Sequence, residues 1–167
     1  EISTISLETQ AKLLRVIQQR EFIPLGGLET IRVDVRIVAA TNSDLRKLVE
    51  EGRFREDLYY RLNVIQVDLP PLRDRREDIP LLVEHFFTKY CRENEKFLDA
   101  EGRSRLRFTP EAMRLLMDYH WPGNVRELEN VVERAVVLAT DLGVPVALLP
   151  DSLLSARGVQ IRRRLPT

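Results

Sequence analysis

A single cysteine in 167 residues rules out an internal disulfide, so packing and hydrogen bonds must hold the fold. Cys91 stands beside Tyr90 in a helical pattern, the setting of a buried or half-buried structural thiol, and such usage suits a reducing compartment. The sequence also lacks an apolar run long enough to span a bilayer, and it does not open on a charged-then-apolar leader. A cytoplasmic protein with no membrane partner is therefore expected. Net charge is missing too: 26 Lys and Arg balance 26 Asp and Glu, which excludes a global field drawing the chain to nucleic acid or anionic lipid. Any basic site must be local. His85 and His120 have no partners at metal-ligand spacing, and no Ser/His/Asp arrangement is legible, so both are expected to pack.

What is present is ordinary for a folded protein: 44% hydrophobic and 31% charged residues suffice for one domain or two small ones. The stretch PPLRDRRED, residues 70 to 78, separates an α/β first part from an all-helical second part. In the first part Ser6 can cap a helix running to about Gln19, with Leu7, Ala11, Leu14 and Ile17 on one side. Phe22 to Pro24 and Ile31 to Val33 flank Gly26-Gly27 and predict a hairpin-like excursion, because paired glycines permit positive φ. The apolar run 35–40 predicts a parallel core strand, and the run 64–69, broken by Gln66 and Asp68, predicts a second. Between them Asp44 to Glu51 and Arg55 to Leu62 read as short helices separated by Gly52.

The second part carries the stronger helical periodicity. Ile79, Leu82, Val83, Phe86 and Tyr90 share a face after Pro80, whose missing N–H costs nothing in a first turn. Thr109 caps a helix with Pro110 at its first position. In WPGNVRELENVVERAVVLA, Asn124 is the expected N-cap and Glu127 closes a capping box, with Leu128, Val131, Val132, Ala135 and Ala139 as the packed stripe. Arg126 lies off that stripe in the first turn, where the helix dipole disfavours a cation by about 0.3–1 kcal/mol. Either it is solvated and answered by Glu129 or Glu133, or an anion stands nearby.

A similar question attaches to GRFREDLYYRLN, residues 52 to 63. Arg55 and Arg61 are six positions apart on one helix, so their guanidinium groups diverge by about 120° and a single stripe cannot bury both. They are both solvated, or two acceptors await them; for Arg61, Asp57 at i−4 is a local candidate.

Together these segments resemble the AAA+ ATPase domain of bacterial sigma-54-dependent transcriptional activators, the bacterial enhancer-binding proteins. The resemblance is carried by EISTISLETQAKLLRVIQQREFIPLGG (1 to 27), VDVRIVAATNSDL (33 to 45), GRFREDLYYRLNV (52 to 64), LPPLRDRREDIPLL (69 to 82) and WPGNVRELENVVERA (121 to 135). Five such stretches in this order are far more specific than a lone phosphate-loop pattern. The implied fold class is α/β: the C-terminal part of an AAA+ P-loop ATPase core, a parallel sheet with flanking helices, followed by an all-helical lid subdomain. The implied organisation is core over 1–72, lid over 73–150, and over 151–167 a linker toward a C-terminal DNA-binding domain; the charge run Arg162, Arg163 and Arg164 within it either leads toward that domain or is simply solvated.

The resemblance also implies roles. Arg55 and Arg61 match the arginines associated with nucleotide on the neighbouring subunit, one reaching the γ-phosphate of ATP. Asn42, with Thr41 beside it, matches sensor I, where an amide orients water or a phosphate oxygen without adding charge. Asn42 or Asp44 would equally serve as a cap for the next helix. Arg126 matches the sensor II arginine of the lid. Glu1 matches the carboxylate that ends Walker B and polarises the attacking water, although Ser3 and Thr4 replace the usual glycine-acid pair after it. Implied cofactors are ATP and Mg2+, and implied partners are further copies in a ring, expected to be a hexamer, sigma-54 RNA polymerase, and enhancer DNA through another domain. The hairpin region 22 to 33 resembles the pre-sensor insertion that supports loop motion, or is an ordinary connection. No G-x-x-x-x-G-K-[ST] phosphate loop and no GAFTGA loop occur in the sequence, so the chain by itself is expected to be inactive. The alternatives are another AAA+ ATPase, or a non-enzymatic helical module whose arginines contact DNA or protein.

Overall fold

Ser6 begins the first helix as its residue type predicts: its hydroxyl accepts the Thr9 N–H at 3.2 Å, and α1 (Leu7–Gln19) runs until Arg20 turns left-handed at φ 55. The computed structural model describes residues 1–155, and these form two compact units that divide between Asp68 and Leu69. The boundary expected after residue 72 lies earlier because Leu72 is fully buried in the second unit.

In the first unit β1 (Glu21–Phe22) pairs antiparallel with β2 (Ile31–Arg32), Glu21 opposite Arg32, and Gly26 at φ 76 supplies the turn between them. Asp44 then caps α2 (Leu45–Glu50), accepting the N–H groups of Arg46 and Lys47 at 2.9 and 3.2 Å. After Gly52, at φ 70, the chain enters α3 (Glu56–Leu62). Leu14, Leu48, Phe54 and Leu58 form the buried centre of this unit, one contribution from each helix plus the loop that joins α2 to α3.

The runs 35–40 and 64–69 are not paired strands. Among the described residues the backbone of 35–40 receives one such hydrogen bond, Ile2 N–H to Ala40 O at 3.1 Å, and 64–69 makes none. Their apolar side chains are exposed, Val38 and Leu69 to 86% each. An apolar run inclines a segment toward an extended form, but a ladder also needs a neighbour to bond with, and neither run has one among these residues. The single parallel pairing among the described residues lies elsewhere, between β3 (Arg107–Phe108) and β4 (Gly143–Val144) in the second unit.

That second unit is helical as expected. α4 (Ile79–Glu93) packs along α6 (Asn124–Leu138), with α5 (Pro110–Asp118) and α7 (Asp151–Ser155) closing the core around Phe87, Leu116, Trp121 and Val132. Thr109 Oγ1 accepts the Ala112 N–H at 3.3 Å and Pro110 follows in the first turn. Residues 151–155, assigned above to a linker, are helical, and Leu153 and Leu154 are buried; the charge run 162–164 lies outside the described residues. Cys91 is buried in this core, its Sγ 3.2 Å from Ser104 Oγ. His85 and His120 are both exposed rather than packed in the core, although the His85 ring meets Phe86 edge-on. No helix among the described residues is long and apolar enough to cross a membrane.

The capping box expected at the start of α6 does not form, because the N-cap is Gly123, which has no side chain to bond the helix N–H groups. Glu127 Oε2 accepts the N–H of Gly123, not of Asn124, at 2.8 Å. Asn124 itself adopts φ 52, a conformation its short polar side chain tolerates, and its Oδ1 accepts the Leu72 N–H at 2.9 Å. Trp121 is also left-handed, at φ 49, although the following Pro122 favours extended backbone before it.

α4 and α6 are also joined by a polar clamp. Glu129 Oε1 accepts from Lys89 Nζ at 2.8 Å and from the Tyr90 hydroxyl at 3.0 Å. Lys89 first, then Tyr90, holds the Glu129 carboxyl below its ordinary range, and Glu129 holds the Lys89 amine above its own. The Glu129 contribution is therefore complete above the ordinary carboxylate pKa and is lost as pH falls through the depressed folded value. The Lys89 contribution is complete below the ordinary amine pKa and is lost as pH rises through the raised one. The expected result is a Tm difference between wild type and Glu129→Gln that is flat through neutral pH and shrinks below about pH 4, measured by thermal melts across pH. It should be small and weaken with salt, because the side chains are 41% and 26% exposed.

Candidate functional site

Gln10 is completely buried in α1, an unusual place for a primary amide. Its Oε1 accepts the Arg55 N–H at 2.8 Å, and its Nε2 donates to Arg53 O at 3.1 Å and to Ile5 O at 3.0 Å. One side chain thus ties the segment after Glu1 to the turn that opens α3. Sequence reasoning did not single it out, yet a signal exists: Gln10 lies three residues after Leu7 and four before Leu14, on the stripe that should be apolar.

Arg55 is the N-cap of α3, extended at φ −74 and ψ 132. Its guanidinium grips Asp57 through two parallel bonds, Nε to Oδ1 at 3.0 Å and Nη2 to Oδ2 at 2.8 Å. Arg55 is the main reason the Asp57 carboxyl is held below the ordinary range; burial opposes the shift and the Leu58 amide, at 2.8 Å, adds to it. Asp57 was the local partner considered for Arg61, and it is occupied by Arg55 instead. Arg61, exposed in the last turn of α3, makes no ion pair among the described residues. The divergence of the two arginines thus places both at the surface, one held by a carboxylate and one open. The Arg55–Asp57 pair is 42% and 45% exposed, so water competes with it and exchange for another anion is inexpensive.

The Ile2–Ala40 hydrogen bond sets the segment after Glu1 beside the one leading to Thr41 and Asn42. Glu1 is exposed. Thr41 Oγ1 accepts the Ser43 N–H at 3.0 Å, folding a tight turn, and Asn42 Oδ1 accepts from the Ser43 hydroxyl at 3.2 Å. Since Asp44 caps α2, Asn42 is not needed there, and its amide is exposed. Ser3, which departs from the usual glycine-acid pair, has a buried hydroxyl with no hydrogen-bond partner.

In the second unit Arg126 is exposed in the first turn of α6 and makes no ion pair among the described residues. Glu129, one of its expected answers, is engaged by Lys89 and Tyr90, and Glu127 by Gly123 and the Tyr119 hydroxyl. No three His, Cys, Asp or Glu side chains gather as a metal site among the described residues. Arg55 and Arg126 are thus exposed cations at helix starts, Arg61 is an exposed cation in the last turn of α3, and Asn42 adds an exposed amide, chemistry suited to phosphate oxygens.

Residues 1–68 match the Sigma-54 interaction domain, and residues 73–164 match the AAA+ ATPase lid domain. The chain belongs to the AAA+ ATPases of sigma-54-dependent activators. It is 57% identical over 138 residues to Regulatory protein AtoC of Escherichia coli (strain K12), covering 83% of this chain and 28% of that protein. It is 49% identical over 157 residues to Nitrogen fixation protein AnfA of Azotobacter vinelandii, covering 94% of this chain and again 28% of the relative. The chain thus spans under a third of the length of these relatives. Among solved structures it resembles NtrX from Brucella abortus in complex with ATP, with a TM-score of 0.83 and 37% identity, over 100% of this chain and 36% of that one. The likeness to the same protein in complex with ADP has a TM-score of 0.81 at 38% identity. The AAA+ fold class, a portion of the α/β core followed by the helical lid, is thereby established.

Proposed function

We propose that this chain is the nucleotide-sensing and subunit-contacting part of an activator that hydrolyses ATP in a ring and uses the motion to remodel the sigma-54 RNA polymerase closed complex. The observation that carries this is α3: Arg55 and Arg61 stand exposed on a helix whose start is pinned by a buried hydrogen-bond network. Arg55 exchanges Asp57 for the γ-phosphate of the ATP held by the neighbouring protomer, where its fork matches the phosphoryl oxygens and offsets charge spreading over them. Arg61 supports that contact or the subunit interface. Within one protomer, Glu1 polarises the attacking water and Asn42, shaped by the Thr41 turn, orients it. Arg126, lacking an acidic partner, reports bound triphosphate to the lid.

Mg2+ accompanies ATP and neutralises phosphate charge when bound, but the described residues gather no ligand set for it, and the steps assigned to this chain are those of its own side chains. The ring, expected to be hexameric, works in the cytoplasm and reaches enhancer DNA through another domain. Alone, the 167 residues should not hydrolyse ATP, since they contain no phosphate-loop pattern.

The test is ATP-dependent opening of a sigma-54 promoter by the full-length protein, read by permanganate reactivity of promoter thymines. Opening supports the reading, and ATP hydrolysis with no opening in the presence of sigma-54 polymerase overturns the remodelling role. For Arg126→Ala we expect ATP affinity to fall roughly ten- to hundredfold, the worth of a charge-assisted hydrogen bond, as measured by titration calorimetry. Unaltered affinity would remove Arg126 from the site.

A further inference from the structure

We propose that Gln10 is a positioning residue for Arg55, setting the geometry with which one protomer completes its neighbour's nucleotide site; this rests on the trans role given to Arg55 above. The Arg55 backbone is held on both sides: its N–H by Gln10 Oε1 at 2.8 Å, and its carbonyl by the first bond of α3, from Tyr59 N–H at 3.0 Å. The Arg53 carbonyl two residues earlier is held by the same amide at 3.1 Å. Few side chains can do this. The site asks for two donors aimed at carbonyls and one acceptor aimed at an N–H, which a primary amide offers on a single plane. A carboxylate would face both carbonyls with lone pairs, and a thioether would leave all three backbone groups unanswered in a part-buried setting. The third bond, to Ile5 O at 3.0 Å, anchors the amide to the segment after Glu1, so the arginine turn is indexed to the same protomer's α1 and not left to the loop's own conformations.

Positioning of this kind appears in turnover before it appears in binding, because a displacement of about 1 Å at a reacting geometry costs on the order of a hundredfold in rate. In the full-length, ring-forming protein, Gln10→Met is expected to lower kcat about ten- to hundredfold, with KM for ATP and ring assembly retained. Mixed rings separate this from a general loss of structure. Glu1→Gln protomers have an impaired site but intact arginines, and Arg55→Ala protomers the reverse, so mixing these two should restore hydrolysis. Failure of that control would sink the trans role of Arg55 itself, independently of Gln10. Given the control, Gln10→Met mixed with Glu1→Gln should recover turnover, whereas Gln10→Met mixed with Arg55→Ala should not. The opposite pattern would place the damage in the protomer's own site through Ile5 and overturn the proposal, as would unchanged kcat. If Gln10→Met does not assemble by sedimentation, Gln10→Glu, which keeps the volume and the acceptor for Arg55, goes through the same mixtures. Failure of both to assemble would show that Gln10 serves only the core, and the proposal would be wrong.

Discussion

Arg55→Ala should reduce ATP turnover in the assembled ring by about 10³–10⁵-fold, the usual worth of an arginine supplied to a phosphoryl-transfer site from outside, while ATP binding remains nearly intact. The fold gives reasons to expect so clean a separation. The Arg55 side chain is exposed and bonds to Asp57, so its removal opens no buried cavity, and its backbone bonds to Gln10 and Tyr59 survive the change. Arg55→Lys should recover little of the loss, because an ammonium is a point charge without the planar fork that Asp57 now occupies. Single-turnover hydrolysis, with nucleotide affinity measured in parallel, provides the check; wild-type turnover in Arg55→Ala would refute the role.

The largest stability effect is expected at Trp121. Its ring is fully buried, stacks edge-on against Tyr119 at 5.1 Å between centroids, and donates its indole N–H to Leu116 O at 2.8 Å. Trp121→Ala should cost about 3–5 kcal/mol from lost burial and the cavity left behind. That is a large share of the 5–15 kcal/mol typical of a whole domain. Trp121→Phe keeps much of the apolar contact but leaves the Leu116 carbonyl unanswered, for a loss of about 1–3 kcal/mol. Because the chain contains one tryptophan, its emission in the wild type reports the second unit alone, and far-UV circular dichroism follows the variants through denaturant. A midpoint for Trp121→Ala equal to that of the wild type would contradict the packing described.

The parts of this fold that were legible in the sequence are those decided within a few residues. The helices α1, α4, α5 and α6 show their apolar period, Ser6 and Thr109 cap by residue type, and Gly26 marks the hairpin turn. The misreadings all involve partners distant along the chain or a backbone conformation with no local signature. The runs 35–40 and 64–69 have strand composition, but pairing is a property of the neighbour. β3 and β4, two residues each, are too short for a period to be seen. With Trp121 and Asn124 left-handed, the N-cap of α6 falls on Gly123, and the Asn124 side chain is drawn to Leu72, 52 positions away, so the expected box does not form.

The site divides in the same way. Arg55, Arg61, Asn42, Thr41, Arg126 and Glu1 were named through family motifs, and the structure shows which local ties each one has. Asp44, not Asn42, caps α2; Asp57 binds Arg55, not Arg61; Glu129 belongs to Lys89 and Tyr90, not Arg126. Each of these reassignments leaves a polar group free for a ligand. Gln10 escaped notice because its bond to Arg55 crosses 45 positions, although a polar residue on an apolar stripe is the kind of local conflict that marks a site.

On the proposed reading, a phosphate site on one protomer is incomplete until a neighbour's cations reach it. The most direct measurement is turnover per protomer as the full-length protein is diluted through its assembly transition, with sedimentation at each concentration to give the fraction in rings. Turnover per protomer is predicted to follow that fraction and to vanish with the rings. Hydrolysis that proceeds at full speed in the dissociated protomer would contradict the account.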